Sequence, residues 1–257
     1  QSSRDEVLRF QGVDSDPVNH GWLCDRGRFN FEAVKSEHRV LQPLVREGDE
    51  LLPASWNTAL AAAAALITEA KAAGGVAGIA VIGGARGTNE DAFAWARVGH
   101  EVIGTPNVYS QMGDGLPVGL LGLDRATIDE AANATTIVLL GPDLKEELPV
   151  LYLRLRDAAA KQRSRIIELT PKHTGLTRNA WRSIGYEPGT QVAAVQGALA
   201  DGAIAAQLAK GNVVIVAGRA NLAESSAATI AALHALLAAV PGAKVLPAFR
   251  RGTVVGA

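Results

Sequence analysis

The sequence holds a single cysteine and a single methionine among 257 residues. One thiol cannot close an internal disulfide, so a disulfide-stapled extracellular fold is excluded and a reducing, cytoplasmic setting is expected. No apolar run attains the length of a membrane span. The most apolar window, residues 59–67, is alanine-rich and reads as part of a soluble helix, so direct membrane insertion is not expected. The opening "QSSRDEVLRF" is polar and has no signal-peptide apolar region. Neither sign of charge dominates: 25 Lys and Arg stand against 26 Asp and Glu, for a net charge of −1. Nothing in that balance calls for nucleic acid or an anionic membrane as partner. The chain begins without methionine and closes on "RRGTVVGA", so it is expected to be a piece of a longer protein, incomplete at both ends.

What is present is a folded composition, 48% hydrophobic and 20% charged. Residues 1–50 are mixed and charged, with short extended candidates at 6–10 and 40–45. From Pro53 the character changes. "PASWNTALAAAAALITEAKAAGG" offers Ser55 as an N-cap, good helix formers, and Gly74-Gly75 as a stop. "VAGIAVIGGA" follows as a short β-rich run. Thr88 or Asn89 then caps "EDAFAWARVGHEVIG", a helix. The alternation continues with strands at "ATTIVLLG", "SRIIELTP", "NVVIVAG" and "AKVLPAF". The helices between them lie at "EELPVLYLRLRDAAAK", "PGTQVAAVQGALADGAIAAQLAKG" and "AESSAATIAALHALLAAV". Pro149 is tolerable only in a first turn. Strands of near-continuous Val, Ile and Leu alternating with helices predict an α/β fold: parallel sheets with helices on both faces. Two irregular stretches, 109–129 and 172–187, interrupt the pattern, and such loops carry function in α/β folds.

Candidate sites are few. "GGARGTNE" (83–90) joins a strand to a helix whose free N–H groups suit an anion, with Arg86 adding charge. It satisfies neither the dinucleotide fingerprint nor the P-loop pattern, and a tight turn is the simpler reading. His20, His38, His100, His173 and His234 show no zinc spacing, and His234 reads as a packed core residue of its apolar helix. Glu146-Glu147 suit a helix's first turn, and "RLRDAAAKQRSR" a solvated helix end. The glycine-rich loop at 113–119 has no nucleophile. Cys24 remains. A free cysteine is usually a packing residue, yet this one lies between Trp22-Leu23 and the basic "DRGR".

"PVNHGWLCDRGRFNFE", followed by "HRVLQPLVREGDELLPASWNTAL", resembles the start of the molybdopterin oxidoreductase domain. There a cluster cysteine sits in a V-N-x-G-x-L-C-x-[KR]-G-R-[FY] stretch. "ARGTNEDAFAWARVGHEVIGTPNVY", "LLGPDLKEELPVLYLRLRDA", "PGTQVAAVQGAL" and the closing "FRRGTVVGA" are similar to later segments of that family. Within it, "VNHGWLCDRGRF" and "LPAFRRGTVVGA" look most like the G-subunit branch found in NADH-quinone oxidoreductase, respiratory complex I. The resemblance implies that residues 1–50 are the tail of an iron–sulfur cluster-binding segment and 51–257 a truncated molybdopterin oxidoreductase-like region. It implies that Cys24 is the fourth ligand of a [4Fe–4S] cluster whose other cysteines, in a C-x2-C-x3-C pattern, precede Gln1. Arg26 takes the basic position that lies between cluster and pterin in molybdenum members. The implied role is scaffold and subunit contact within the complex I peripheral arm, which carries electrons from NADH to quinone. The implied partners are the other subunits of that arm, and the implied place is cytoplasmic, peripheral to the cell membrane.

Three departures point away from a molybdenum cofactor. Gly115 stands where formate dehydrogenases carry a metal-ligating residue, and the neighbouring Asp114 reads more simply as a turn residue. Thr170 stands for the Asp of "DPR", and Gln191 for the Asp of "PGTD". The expectation is therefore that neither molybdenum nor pterin is bound. Two alternatives stand beside it: a molybdenum-dependent oxidoreductase such as a formate dehydrogenase α subunit, and a stand-alone module holding an anion at Gly83–Gly87. With Cys24 its only thiol, this chain expressed by itself should be colourless and free of iron, because one thiolate does not hold a cluster that takes four ligands. Stoichiometric iron with absorbance near ~400 nm in the purified chain would contradict this assignment of the sulfur.

Overall fold

A computed structural model describes residues 1–84, 86–109, 118–220 and 224–249. These fall into two compact units, one of residues 1–29 with 118–249, the other of residues 30–109. The first unit opens with an arm. Its strands β1 (Ser2–Ser3) and β2 (Glu6–Val7) form an antiparallel hairpin, and a short helix α1 (Asp25–Phe29) follows.

In the second unit, α2 (Glu32–Lys35) precedes an antiparallel hairpin of β3 (Leu44–Glu47) and β4 (Glu50–Pro53). Gly48, at φ 61°, makes the hairpin's turn. Helix α3 (Trp56–Gly74) begins where the sequence places it: the Ser55 side chain accepts the Thr58 N–H, and Gly75 at φ 66° ends it. Strand β5 (Val81–Ile82) pairs in parallel with β6 (Val108–Tyr109). Between them lie α4 (Asn89–Arg97) and a π-helical turn, Val98–Ile103. The run from Val76 yields only those two strand residues, with a 3-10 turn at Val76–Gly78. Its described partner is equally short, so a longer ladder has nothing to bond to. Neither α3 nor α4 buries a residue.

The rest of the first unit is a doubly covered sheet. Helix α5 (Ile128–Ala132) starts on a reciprocal cap between Thr127 and Glu130 and leads into β7 (Thr136–Leu140). Asp143 caps α6 (Leu144–Glu147), and Pro149 opens α7 (Pro149–Ala160), the one place its missing N–H costs nothing. Next come β8 (Arg165–Thr170) and β9 (Arg182–Gly185). The apolar run after Pro188 gives two helices, α8 (Gln191–Ala200) and α9 (Gly202–Leu208). They are divided at Asp201, whose carboxylate accepts the Ala203 and Ile204 N–H groups. Strand β10 (Val213–Ala217), α10 (Ser226–Ala239) and β11 (Lys244–Pro247) complete it.

The strand order is β11-β10-β7-β8-β9, parallel throughout. Alternate residues bury against opposite layers. Val138, Leu140, Ile167 and Ile215 pack with Val195, Leu233 and Leu236 of α8 and α10. Ile137, Leu139, Ile166 and Val216 pack with Leu144, Leu151 and Leu155 of α6 and α7. Covering both faces is what makes the strands read as unbroken apolar runs. Strand β9 falls inside a stretch expected to be irregular. It is an edge strand with mostly exposed side chains, so it carries no apolar run. His234 is also corrected. It is exposed, because α10 turns Thr229, Ala232, Leu233 and Leu236 inward and leaves position 234 outside. No helix among the described residues is long and apolar enough to cross a membrane.

One charge sits inside this sheet. Glu168, in the middle of β8, is buried, and its carboxylate accepts hydrogen bonds from the hydroxyls of Thr174, Thr177 (2.8 Å) and Ser183 (2.9 Å). The carboxylate thereby ties the β8–β9 connection to the sheet. Glu168→Ala should lower unfolding free energy by about 2–4 kcal/mol, since hydroxyls aimed at a buried charge lose their acceptor. Urea melts of the variant and the parent check this, and a loss within error would show the three contacts to be dispensable.

Candidate functional site

In a parallel sheet, ligands bind outside the carboxyl ends of the strands, where the strand order reverses. Here the chain leaves β7 towards β8 and returns through β10 on its other side, so the reversal lies between β7 and β10. Gly141 and Gly218 end those strands. A Cβ on Gly141 would come within 3.1 Å of the Gly218 nitrogen, and one on Gly218 within 2.6 Å of Pro142 Cδ. Glycine at both positions is what lets the two strand ends run so close.

Polar groups gather along the same edge. The Thr170 hydroxyl donates to the Lys172 carbonyl at 2.6 Å, closing the turn that leaves β8. Tyr186, just beyond β9, donates its hydroxyl to the buried Glu224 carboxylate at 2.7 Å. Burial first, and the Glu224 hydrogen bond and charge second, push the Tyr186 phenol well above its ordinary range. Gln191 opens α8. It is 1% exposed, and among the described residues neither its amide nitrogen nor its amide oxygen has a partner. A buried, unpaired amide costs about 1–3 kcal/mol per group, so such a site needs a polar partner from elsewhere.

Cys24 lies in the arm. It is half-buried, and its Sγ accepts the Gly27 N–H at 3.4 Å. Arg26 and Arg28 lie with it at α1: Arg26 is exposed, and Arg28 faces Asp25 at 4.0 Å. Among the described residues, no group of three or more His, Cys, Asp or Glu side chains converges as a metal site.

At Gly83–Gly87 the geometry favours the tight turn over the anion site. Asp91 accepts the Thr88 N–H at 2.8 Å while Thr88 caps the Asp91 N–H, so the helix end is already served by its own carboxylate. A Cβ on Gly87 would lie 2.7 Å from that carboxylate, which explains the glycine. Ala85 of this loop lies outside the described residues, as do Gln111, Met112, Asp114, Gly115 and the closing "RRGTVVGA".

The site residue that sequence reasoning undervalues is Gln191, read by the charge it lacks. Its signal lies in burial, which no sequence pattern displays. Arg154, which reads in the sequence as part of a solvated helix end, is in fact 6% exposed. Its guanidinium reaches the carbonyls of Asp16, Pro17 and Val18 and the carboxylate of Asp129.

Comparison with known proteins agrees with this architecture. The model of the molybdopterin oxidoreductase family matches residues 39–245, and the chain belongs to that family. It is 33% identical over 228 residues to the G subunit of NADH-quinone oxidoreductase from Mycobacterium tuberculosis, covering 84% of this chain and 28% of that protein. It is 31% identical over 193 residues to the alpha subunit of NADPH-Fe(3+) oxidoreductase from Geobacter sulfurreducens, covering 71% of this chain and 22% of that one. The chain thus spans under a third of the length of these relatives. Among solved structures, acetylene hydratase from Pelobacter acetylenicus superposes with a TM-score of 0.56 over 78% of this chain and 30% of its own, at 19% identity, a likeness of fold.

Membership of this family overturns the expectation that no molybdenum or pterin is bound. The physical error lies in treating Thr170 and Gln191 as lost acids. An amide at 191 gives up charge but keeps an acceptor oxygen and gains a donor, and its unpaired burial suits a polar group seated at the sheet edge.

The Tyr186 environment gives a measurable consequence. The phenol is stabilised in its protonated form by the fold, so this contribution is complete below the ordinary tyrosine range near ~10 and is lost as pH climbs above it. The difference in 295 nm absorbance between the parent and Tyr186→Phe should show no phenolate step at that pH while the protein is folded. A step there would mean that Glu224 does not hold the proton.

Proposed function

We propose that this chain is part of a molybdopterin-dependent oxidoreductase subunit, with the carboxyl edge of its five-stranded sheet holding the nucleotide end of the cofactor. The observation that carries this is the buried, unpartnered amide of Gln191 at the start of α8, the helix that follows edge strand β9. The Gln191 amide would meet the polar edge of a base, one donor and one acceptor at once. Gly141 and Gly218 let the ends of β7 and β10 run close together at the reversal of strand order. Tyr186 donates its hydroxyl to the Glu224 carboxylate, which fixes the orientation of both side chains just beyond β9. When bound, the molybdenum–pterin group supplies two-electron oxidation and reduction. In the arm, Cys24 supplies one thiolate to an iron–sulfur cluster, its sulfur already accepting one N–H bond of the kind that tunes cluster potential. Arg26, exposed on the short helix α1 that begins just after Cys24, would add positive charge beside that cluster.

A second reading has its own support. The match to the G subunit of NADH-quinone oxidoreductase covers 84% of the chain, and it favours a subunit of complex I, peripheral to the membrane and contacting other subunits of the electron-transfer arm. Metal content tests the first reading. The complete protein, expressed with molybdate, should carry about one molybdenum per chain together with iron. Gln191→Leu, similar in size but without the amide, should lower the molybdenum and released guanine nucleotide severalfold while leaving iron in place. Iron without molybdenum in the parent would overturn the first reading.

A further inference from the structure

The arm that bears Cys24 has no buried residue anywhere between Gln1 and Phe29. Between its His20 and Trp22 and the body lies a cleft of about 440 Å³, lined from the body by Asp129, Asn133, Arg154 and Asp157. Apolar packing therefore contributes little to holding the arm. Among the described residues, the side chain of Arg154 reaches across. Arg154, on the buried face of α7, donates from Nη1 to the carbonyls of Asp16 (3.2 Å), Pro17 (3.3 Å) and Val18 (3.1 Å), while its Nη2 pairs with Asp129.

The grip is passed on within the arm. Next along the chain is Asn19, whose Oδ1 accepts the N–H groups of Ser15 (3.1 Å) and Gly21 (2.9 Å) and whose Nδ2 donates to Val13 O at 2.8 Å. Its own carbonyl accepts the Trp22 N–H at 2.7 Å. Gly21 takes φ +72°, which a side chain would resist. Cys24 follows two residues after Trp22, its carbonyl accepting the Arg28 N–H at 2.9 Å and its sulfur the Gly27 N–H. A series of hydrogen bonds thus leads from α7 through the Asn19 turn to the stretch that carries the thiol.

We propose that Arg154 is the positioning residue for Cys24. Through the carbonyls of residues 16–18 and the Asn19 turn, it fixes where the sulfur stands relative to the sheet. The functional meaning rests on the reading of Cys24 as a cluster ligand, and the experiment separates the two.

In this chain, the rate of Cys24 alkylation by N-ethylmaleimide reads the arm directly. Arg154→Met keeps the packing of the stem and removes the donors; it should raise that rate about tenfold, while Arg154→Lys restores part of the protection. Asn19→Ala breaks the same series from the arm side without touching the body, and should give a similar rise with an unchanged far-ultraviolet thermal melt. In the complete protein, Arg154→Met should retain iron but shift the electron paramagnetic resonance line shape and midpoint potential of one cluster, the one whose signal Cys24→Ser removes. Alkylation at the parent rate in both Arg154→Met and Asn19→Ala would overturn the proposal. Faster alkylation together with a Cys24→Ser protein of full iron content and unchanged resonance would uphold the positioning and discard the cluster role.

Discussion

Burial of the five-stranded parallel sheet on both faces is the constraint from which the rest follows. With apolar layers above and below, the strands leave no polar side chain free in their middle, and Glu168 is tolerated because three hydroxyls answer it. Chemistry is displaced to the strand ends. At the carboxyl edge the order of the strands opens a natural seat, and there the structure concentrates its unusual groups: two facing glycines, a phenol held on a buried carboxylate, and an amide without a partner.

The arm obeys the opposite rule. It has no fully buried residue, and Arg154 joins it to the body by polar contacts, each worth about 1 kcal/mol net and more where a charge takes part. A segment built this way is ordered without being rigidly encased.

The alternation of strands and helices was legible because double burial makes it so, and Ser55, Thr88 and Pro149 announced their helix starts by local chemistry. Strand β9 was not legible, since an edge strand with one neighbour needs no apolar run. His234 was misjudged because α10 is alanine-rich on all sides, so composition could not tell its inner face from its outer. In the arm the motif around Cys24 was visible as a likeness, and the structure supplies its reasons: Asn19 closes the turn and Gly21 allows its backbone. The sheet-edge site was misread for a different reason. Judging Gln191 by charge ignored that a buried amide still demands hydrogen bonds.

A guanidinium that holds main-chain carbonyls is blind to the side chains attached to them. Asp16 and Pro17 under Arg154 are therefore free to drift in composition so long as the backbone keeps its path, whereas the arginine itself, and Val18 against the apolar cleft beside it, have no such latitude. Variation between lineages would then fall unevenly across this contact, abundant on the gripped side and nearly absent on the gripping one. A patch of changeable surface and a fixed geometry are in this way made compatible, and new neighbours can be accommodated at residues 16 and 17 without moving the sulfur a few residues on.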